Sequence, residues 1–159
     1  MSEQAGRKPP TGLERLLWRA PIWLYRLHLG WLLGERFLLL HHIGRKSGQP
    51  RQAVLEVAAH RTEPDEYVVA SGFGFKSDWY LNLKKTPDVS IQVGRKKMDV
   101  TAELLSAEQS GERMVQYARK YPRSARNLCR VLGHETDGSA TRYREIGEKF
   151  VPFVAFHLR

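Results

Sequence analysis

The chain has 159 residues, 42% of them hydrophobic, enough for one packed domain and too many for global disorder. Lys and Arg number 26 against 17 Asp and Glu, and the net charge of +9 favours anionic partners without choosing among phosphates, nucleic acid and an acidic membrane face. A single cysteine, Cys129, excludes an intramolecular disulfide and Cys-rich metal sites and fits a reducing compartment.

Residues 1–11, "MSEQAGRKPPT", read as a flexible polar tail. Residues 12–34, "GLERLLWRAPIWLYRLHLGWLLG", read as an amphipathic helical segment in which Pro21 opens a second helical piece. At about 100° per residue, Arg15, Arg19 and Arg26 fall within about 40° of one another, and the rest of the circumference carries Trp18, Trp23 and Trp31. Such a helix fits two settings: packed on the domain with its arginines in water, or lying in a membrane interface. The arginines interrupt the apolar run, so neither a cleavable signal nor a transmembrane helix is expected. The expected address is cytoplasmic, with peripheral contact at the inner face of the cell membrane as an extension.

From residue 35 to 159 the pattern is that of one further domain. "RFLLLHHIG" reads as a strand, "GRKSGQPR" as a turn, "QAVLEVAAH" as a second strand and "YVVAS" as a third, followed by the glycine loop "GFGFK". "SDWYLNLKKTP" reads as a short helix with Ser77 as N-cap and Pro87 beyond its end. "VSIQV" and "KMDVTAELL" form a hairpin around "GRKK". Ser106 and Gln109 make a capping box for the next helix, which Pro122 breaks, and a second helix runs to about Leu132. Residues 133–149 read as polar and irregular, and "FVPFVAFHL" as a last strand. Six short strands joined mainly by tight turns predict a mainly β (α+β) fold: a six-stranded antiparallel barrel with helices on its rim.

Two stretches could carry chemistry. In "GRKSGQPR", Gly44 and Gly48 permit a tight turn whose N–H groups can cradle an anion, with charge from Arg45, Lys46 and Arg51 and a hydroxyl from Ser47. The spacing is not that of a P-loop, and a solubilising basic hairpin has the same composition. In "ASGFGFKSDWYLNL", Gly72 and Gly74 permit close approach, Ser71 and Lys76 are donors, and Trp79 is either a flat ligand wall or, with Leu83, a core face. His41 and His42 are neighbours on a strand and point to opposite faces, so no metal site is expected. Neither a G-x-S-x-G elbow nor a zinc finger, RNP-type strand or basic helix is present, and no nucleic acid is expected as partner.

"GRKSGQPR" after a strand, "YVVASGFG", "DWYLNLKKTPDVSIQVG" and the ending "VPFVAFHLR", in this order, resemble the nitroreductase family of deazaflavin-dependent oxidoreductases over about residues 36–159. The resemblance implies a split β-barrel of the flavin-reductase-like, FMN-binding type. It also implies coenzyme F420, an 8-hydroxy-5-deazaflavin with a phosphodiester and an oligoglutamate tail. Gly44, Arg45, Lys46, Ser47, Gln49, Pro50 and Arg51 would hold tail and phosphate. Val54 and Leu55 would approach the ring, with Ala70, Ser71, Gly72 and Lys76 on the next strand and loop; Trp79 would pack nearby and Asn82 would brace its helix. Hydride would pass from the reduced deazaflavin to a quinone-like or nitroaromatic acceptor, with Ser71, Tyr80 or Tyr121 supplying the proton. This sequence departs from the family on the substrate side: its glycine loop is compact, Glu56 stands where relatives carry a tyrosine, and 133–149 reads as an extra excursion. Two rival readings remain: a membrane-associated barrel binding a lipid or fatty acid without redox turnover, and an FMN-binding relative. A homodimer is a further expectation.

Overall fold

The computed structural model describes residues 36–159; the tail at 1–11 and the amphipathic segment at 12–34 lie outside the described residues. Six strands form: β1 (Phe37–Ile43), β2 (Pro50–Thr62), β3 (Asp65–Ala70), β4 (Asp88–Val93), β5 (Lys96–Leu104) and β6 (Phe153–Leu158). They close a barrel in the order β1-β2-β3-β6-β5-β4, every pairing antiparallel, with β4 returning to β1. Closure leaves no sheet edge to protect.

Period-two patterning sets the inside of the barrel. Leu38 and Leu40 of β1, Leu55 and Val57 of β2, Val89, Ile91 and Val93 of β4, Met98 and Val100 of β5, and Val154 and Phe156 of β6 meet in one buried cluster. β2 carries an irregularity between Val57 and Ala59, where the pairing with β3 shifts. Across it the buried Val57 joins the interior, and Ala58 joins a second core outside the barrel.

Among the described residues four α-helices form: α1 (Asp78–Lys85), α2 (Ala107–Lys120), α3 (Pro122–Leu132) and α4 (Ala140–Lys149). The capping box expected at Ser106 and Gln109 opens α2. Pro122 opens α3 at its first turn, and Gly133, at φ +81°, closes it. Helices α2–α4 bury Met114, Val115, Cys129 and Ile146 against Val68, Phe153 and Ala155 on the outer barrel wall.

Two expectations are corrected. Residues 133–149 are not irregular throughout: α4 starts at Ser139, whose hydroxyl accepts the N–H of Arg142, and buries Tyr143, Ile146 and Gly147. The sequence hides this helix because its contact face is short and includes a glycine. A Cβ on Gly147 would lie 2.6 Å from the Ser110 carbonyl oxygen and 2.9 Å from Gly111 Cα, so α2 and α4 cross at backbone contact. Ser77 precedes α1 as expected, but its hydroxyl makes no capping bond and meets that of Ser71 at 3.1 Å instead.

Candidate functional site

The β1–β2 turn is built by its own backbone. The Gly44 N–H donates to the Gln49 carbonyl at 2.9 Å, the Gly48 N–H to the Gly44 carbonyl at 2.8 Å, and the Ser47 hydroxyl accepts from the Gln49 N–H at 3.1 Å. Gly48 sits at φ +71°, the left-handed region that glycine tolerates. At Gly44 a Cβ would fall 2.6 Å from Ser47 Oγ.

Helix α1 clamps this turn through Asn82. Its Oδ1 accepts both the backbone N–H and a guanidinium N–H of Arg45, each at 3.0 Å, and its Nδ2 meets His42 Nδ1 at 2.9 Å. Lys85 adds a bond from Nζ to the Arg45 carbonyl at 2.9 Å. His42 is 5% exposed, and burial, then Arg51, pull its pKa down to about 4, so the imidazole is neutral near pH 7. The Asn82 amide then assigns Nδ1 as acceptor and leaves the proton on Nε2.

Beside the turn lies a cleft of about 990 Å³ along β2. One end is cationic, with Arg45, Lys46 and Arg51 in its lining. Arg45 also answers Asp78 at 3.3 Å, whereas Lys46 and Arg51 make no ion pair among the described residues. His41 joins the lining there; its Nε2 is buried and has no hydrogen-bond partner among the described residues. Burial, then the charge of Lys97, lowers the His41 pKa. The middle of the cleft is apolar, with Val54, Ala58, Ala70, Leu128 and Leu132, and Trp79 stands half-buried on its wall.

The far end holds a different group. Glu56 accepts from the Arg36 guanidinium on one oxygen and from the Tyr117 hydroxyl, at 3.0 Å, on the other. Arg36 also donates to the Val57 carbonyl at 3.3 Å, and its guanidinium lies 3.7 Å from the centre of the Tyr121 ring. Burial, then Glu56, push the Tyr117 phenol above its ordinary pKa.

Most sequence-predicted cofactor positions border this one cleft: Gly44, Arg45, Lys46, Ser47, Pro50 and Arg51 at the cationic end, then Val54, Leu55, Ala70, Gly72, Trp79 and Asn82. Leu55 takes part mainly through its strand, since its side chain belongs to the barrel core. Five others stand outside the lining. Ser71 is fully buried, with its hydroxyl donated to the Gly74 carbonyl at 2.7 Å. Tyr80 is buried in the barrel core against Phe75 and Trp79. Tyr121 caps α2 one turn beyond Tyr117 and faces Arg36. Gln49 and Lys76 are exposed beside the cleft rather than in it.

Lining residues not read as site residues in the sequence include His41, which strand geometry had set aside as a metal ligand, Tyr117 and Leu128. The available signal for Tyr117 was its place on the buried face of α2 with Met114 and Ala118, which reads as core.

The donor set fits a long, multiply anionic ligand with a flat apolar portion. Two cations without ion pairs and a buried nitrogen without a partner, among the described residues, stand at one end, and an apolar trough continues from them. Among the described residues no group of three His, Cys, Asp or Glu side chains converges to hold a metal. No helix among them is long and apolar enough to cross a membrane.

Comparison with known proteins meets this geometry. Residues 19–128 match the model of the F420H(2)-dependent quinone reductase family. An F420H(2)-dependent quinone reductase of Mycobacterium tuberculosis is 42% identical over 125 residues, covering 77% of this chain and 73% of the relative. An F420-H2 dependent reductase of solved structure aligns over 78% of this chain and 96% of its own at 23% identity, with a TM-score of 0.53. A conserved protein of Mycobacterium tuberculosis aligns over 85% and 79% at 19% identity, with a TM-score of 0.54. These structures share the fold. The chain belongs to the F420H(2)-dependent quinone reductase family.

Proposed function

We propose that this protein is an oxidoreductase that uses reduced coenzyme F420 to reduce a quinone. The observation that carries the site assignment is that Lys46 and Arg51, at the head of an apolar cleft, have no ion pair and His41 Nε2 no hydrogen-bond partner among the described residues. When bound, the reduced deazaflavin supplies a hydride. The chain supplies binding and orientation. The Gly44–Ser47 turn, Lys46 and Arg51 hold phosphate and carboxylate groups. Arg45 contributes with its guanidinium aimed by Asn82. Val54, Ala70, Gly72 and Trp79 form a flat apolar seat that excludes water from the ring portion.

Titrating the purified protein with the coenzyme at low salt should change the coenzyme's fluorescence at micromolar concentration, and reduced coenzyme should then be oxidised on addition of a soluble naphthoquinone. No binding at low salt would sink this reading. An FMN mass in the protein as purified would replace the deazaflavin by FMN, and a copurified fatty acid with no quinone turnover would favour the lipid-binding alternative.

Two finer points belong to the same proposal. A hydrophobic quinone partitions into lipid, so a cytoplasmic protein with a net charge of +9 would gain substrate at an acidic inner membrane face. Sedimentation with anionic and with neutral vesicles tests that contact. Assembly as a homodimer is tested by light scattering at micromolar protein.

A further inference from the structure

Helix α3 carries a charge pattern that the cofactor site does not use. Between Glu112 and Glu135 the chain has six Lys or Arg and no acid. Arg113 answers Glu66, but Arg119, Lys120, Arg123, Arg126 and Arg130 are exposed and make no ion pair among the described residues. At about 100° per residue, Arg123, Arg126 and Arg130 fall within about 60° of one another on α3. Ala125, Cys129 and Leu132 hold the helix to the core by another face, so the arginine stripe looks into water. Past the helix, Glu135 is exposed and Asp137 accepts the Ser139 N–H at 2.9 Å.

The same helix walls the cleft, with Leu128, Val131 and Leu132 in the lining. A Cβ on Gly72 would lie 3.4 Å from Leu128 Cδ1, so α3 stands directly beside the loop that follows β3. Both elements expose apolar side chains: Val131 is 42% and Phe75 47% exposed, and the exposed Lys76 follows Phe75. Around the helix Val131 lies between the stripe and the cleft, about 80° from Arg123 and about 60° from Leu128. Cations beside an exposed apolar rim suit the surface of an anionic bilayer, where headgroup phosphates take the arginines and apolar side chains enter the acyl boundary. A nucleic acid backbone would answer the arginines but would cover no apolar rim.

We infer that the basic face of α3, with Val131 and Phe75 as its apolar rim, is a docking surface for an anionic lipid bilayer. The purpose of the surface rests on the quinone-reductase reading: a quinone dissolved in the bilayer would pass into the apolar trough beside Leu128 with little exposure to water. The α3 arginines lie outside the cleft lining, so they seat the protein on the lipid and touch neither coenzyme nor acceptor. In that reading Lys46 and Arg51 are engaged by the coenzyme, whereas the α3 stripe stays available in the loaded protein.

The full chain, with and without coenzyme, is sedimented with vesicles of phosphatidylglycerol and phosphatidylcholine in equal parts, and with phosphatidylcholine alone. The wild type should prefer the anionic vesicles, less so as salt rises. The triple variant Arg123→Gln, Arg126→Gln, Arg130→Gln should weaken that binding by about tenfold or more. A control triple variant, Arg95→Gln, Lys96→Gln, Lys97→Gln, removes the same charge from the β4–β5 turn outside the cleft lining and should lose about threefold at most. In a second readout the α3 variant should reduce menadione in solution at the wild-type rate, and a long-chain naphthoquinone held in the anionic vesicles about tenfold more slowly. A wild type that ignores anionic vesicles overturns the inference, and retention of a DNA duplex in their place assigns the face to nucleic acid. Equal losses in the two triple variants overturn it in favour of net charge. Where the α3 variant does not fold, a dye on Asn127→Cys should be shielded from aqueous iodide by anionic vesicles while one on Lys96→Cys is not, and no shielding at 127 overturns the inference. Failure to bind coenzyme or to turn over menadione overturns the quinone-reductase reading instead, because sedimentation of the coenzyme-free chain still decides the surface.

Discussion

Asn82 holds Arg45 twice: one side-chain oxygen accepts both the backbone N–H and the guanidinium of Arg45, each at 3.0 Å. The same amide meets His42 Nδ1 at 2.9 Å, so one residue of α1 ties the β1–β2 turn to a buried imidazole on β1. The turn is thus shaped by its glycines but aimed by a helix 37 residues further along the chain.

Removing that clamp should cost both stability and affinity. Asn82 is 3% exposed, and Asn82→Ala leaves the Arg45 N–H and His42 Nδ1 without their partner. A loss of about 1–3 kcal/mol is expected in urea unfolding. Coenzyme affinity should fall about tenfold, because Arg45 must then be ordered by the ligand itself. Unchanged affinity in the folded variant would separate Arg45 from the binding site.

The cationic end makes a graded prediction. Arg51→Ala and Lys46→Ala should each weaken coenzyme binding by about five- to tenfold, with the deficit shrinking as salt rises. Arg95→Ala, in the β4–β5 turn and outside the cleft lining, should have little effect. Fluorescence titration at two ionic strengths measures all three. Equal losses in the three variants would mean that net charge, rather than this turn, attracts the ligand.

His42 sets a pH dependence. Its folded pKa is depressed to about 4 from an ordinary 6.5, with burial the first cause, Arg51 the second, and Asp78 opposing. Between those values the unfolded chain binds the proton and the folded chain does not. Stability from the neutral imidazole is therefore complete above about pH 6.5, is lost progressively as pH falls, and is gone below about pH 4, a loss on the order of 3 kcal/mol. Urea unfolding at pH 7 and pH 5 should show a drop that is smaller in His42→Asn. Parallel drops in the two proteins would remove His42 from the account.

The crossing of α2 and α4 predicts an inverted sign. Glycine to alanine inside a helix ordinarily gains about 1 kcal/mol. At Gly147 the new methyl would lie 2.6 Å from the Ser110 carbonyl oxygen and 2.7 Å from Met114 Cβ, neither of which can step aside freely. Gly147→Ala should therefore destabilise by about 1–3 kcal/mol, seen as a lower Tm. A gain in Tm would show that the two helices separate readily.

The sequence by itself determined the parts governed by local rules. Alternation in "DVSIQV" made a strand whose alternate positions face the inner wall, and the apolar run in "FLLLHHI" made a strand buried on both faces. Tight turns forced antiparallel neighbours, hence a barrel, and Gly44 with Gly48 shaped the β1–β2 turn. Ser106 and Gln109 marked the start of α2.

Tertiary structure alone decided which side chains look into the cleft. Ser71 and Tyr80 carry suitable chemistry on suitable elements, but their hydroxyl and ring point into packing. Tyr117 reads as helix core until the irregularity in β2 and the approach of α2 bring its hydroxyl to Glu56, 61 residues earlier. The helix α4 was hidden for the same reason: its glycine is unfavourable locally and required only by the helix it crosses. Periodicity fixes which face of an element is buried; contacts between elements distant in sequence fix whether a polar group on that face meets core or cavity.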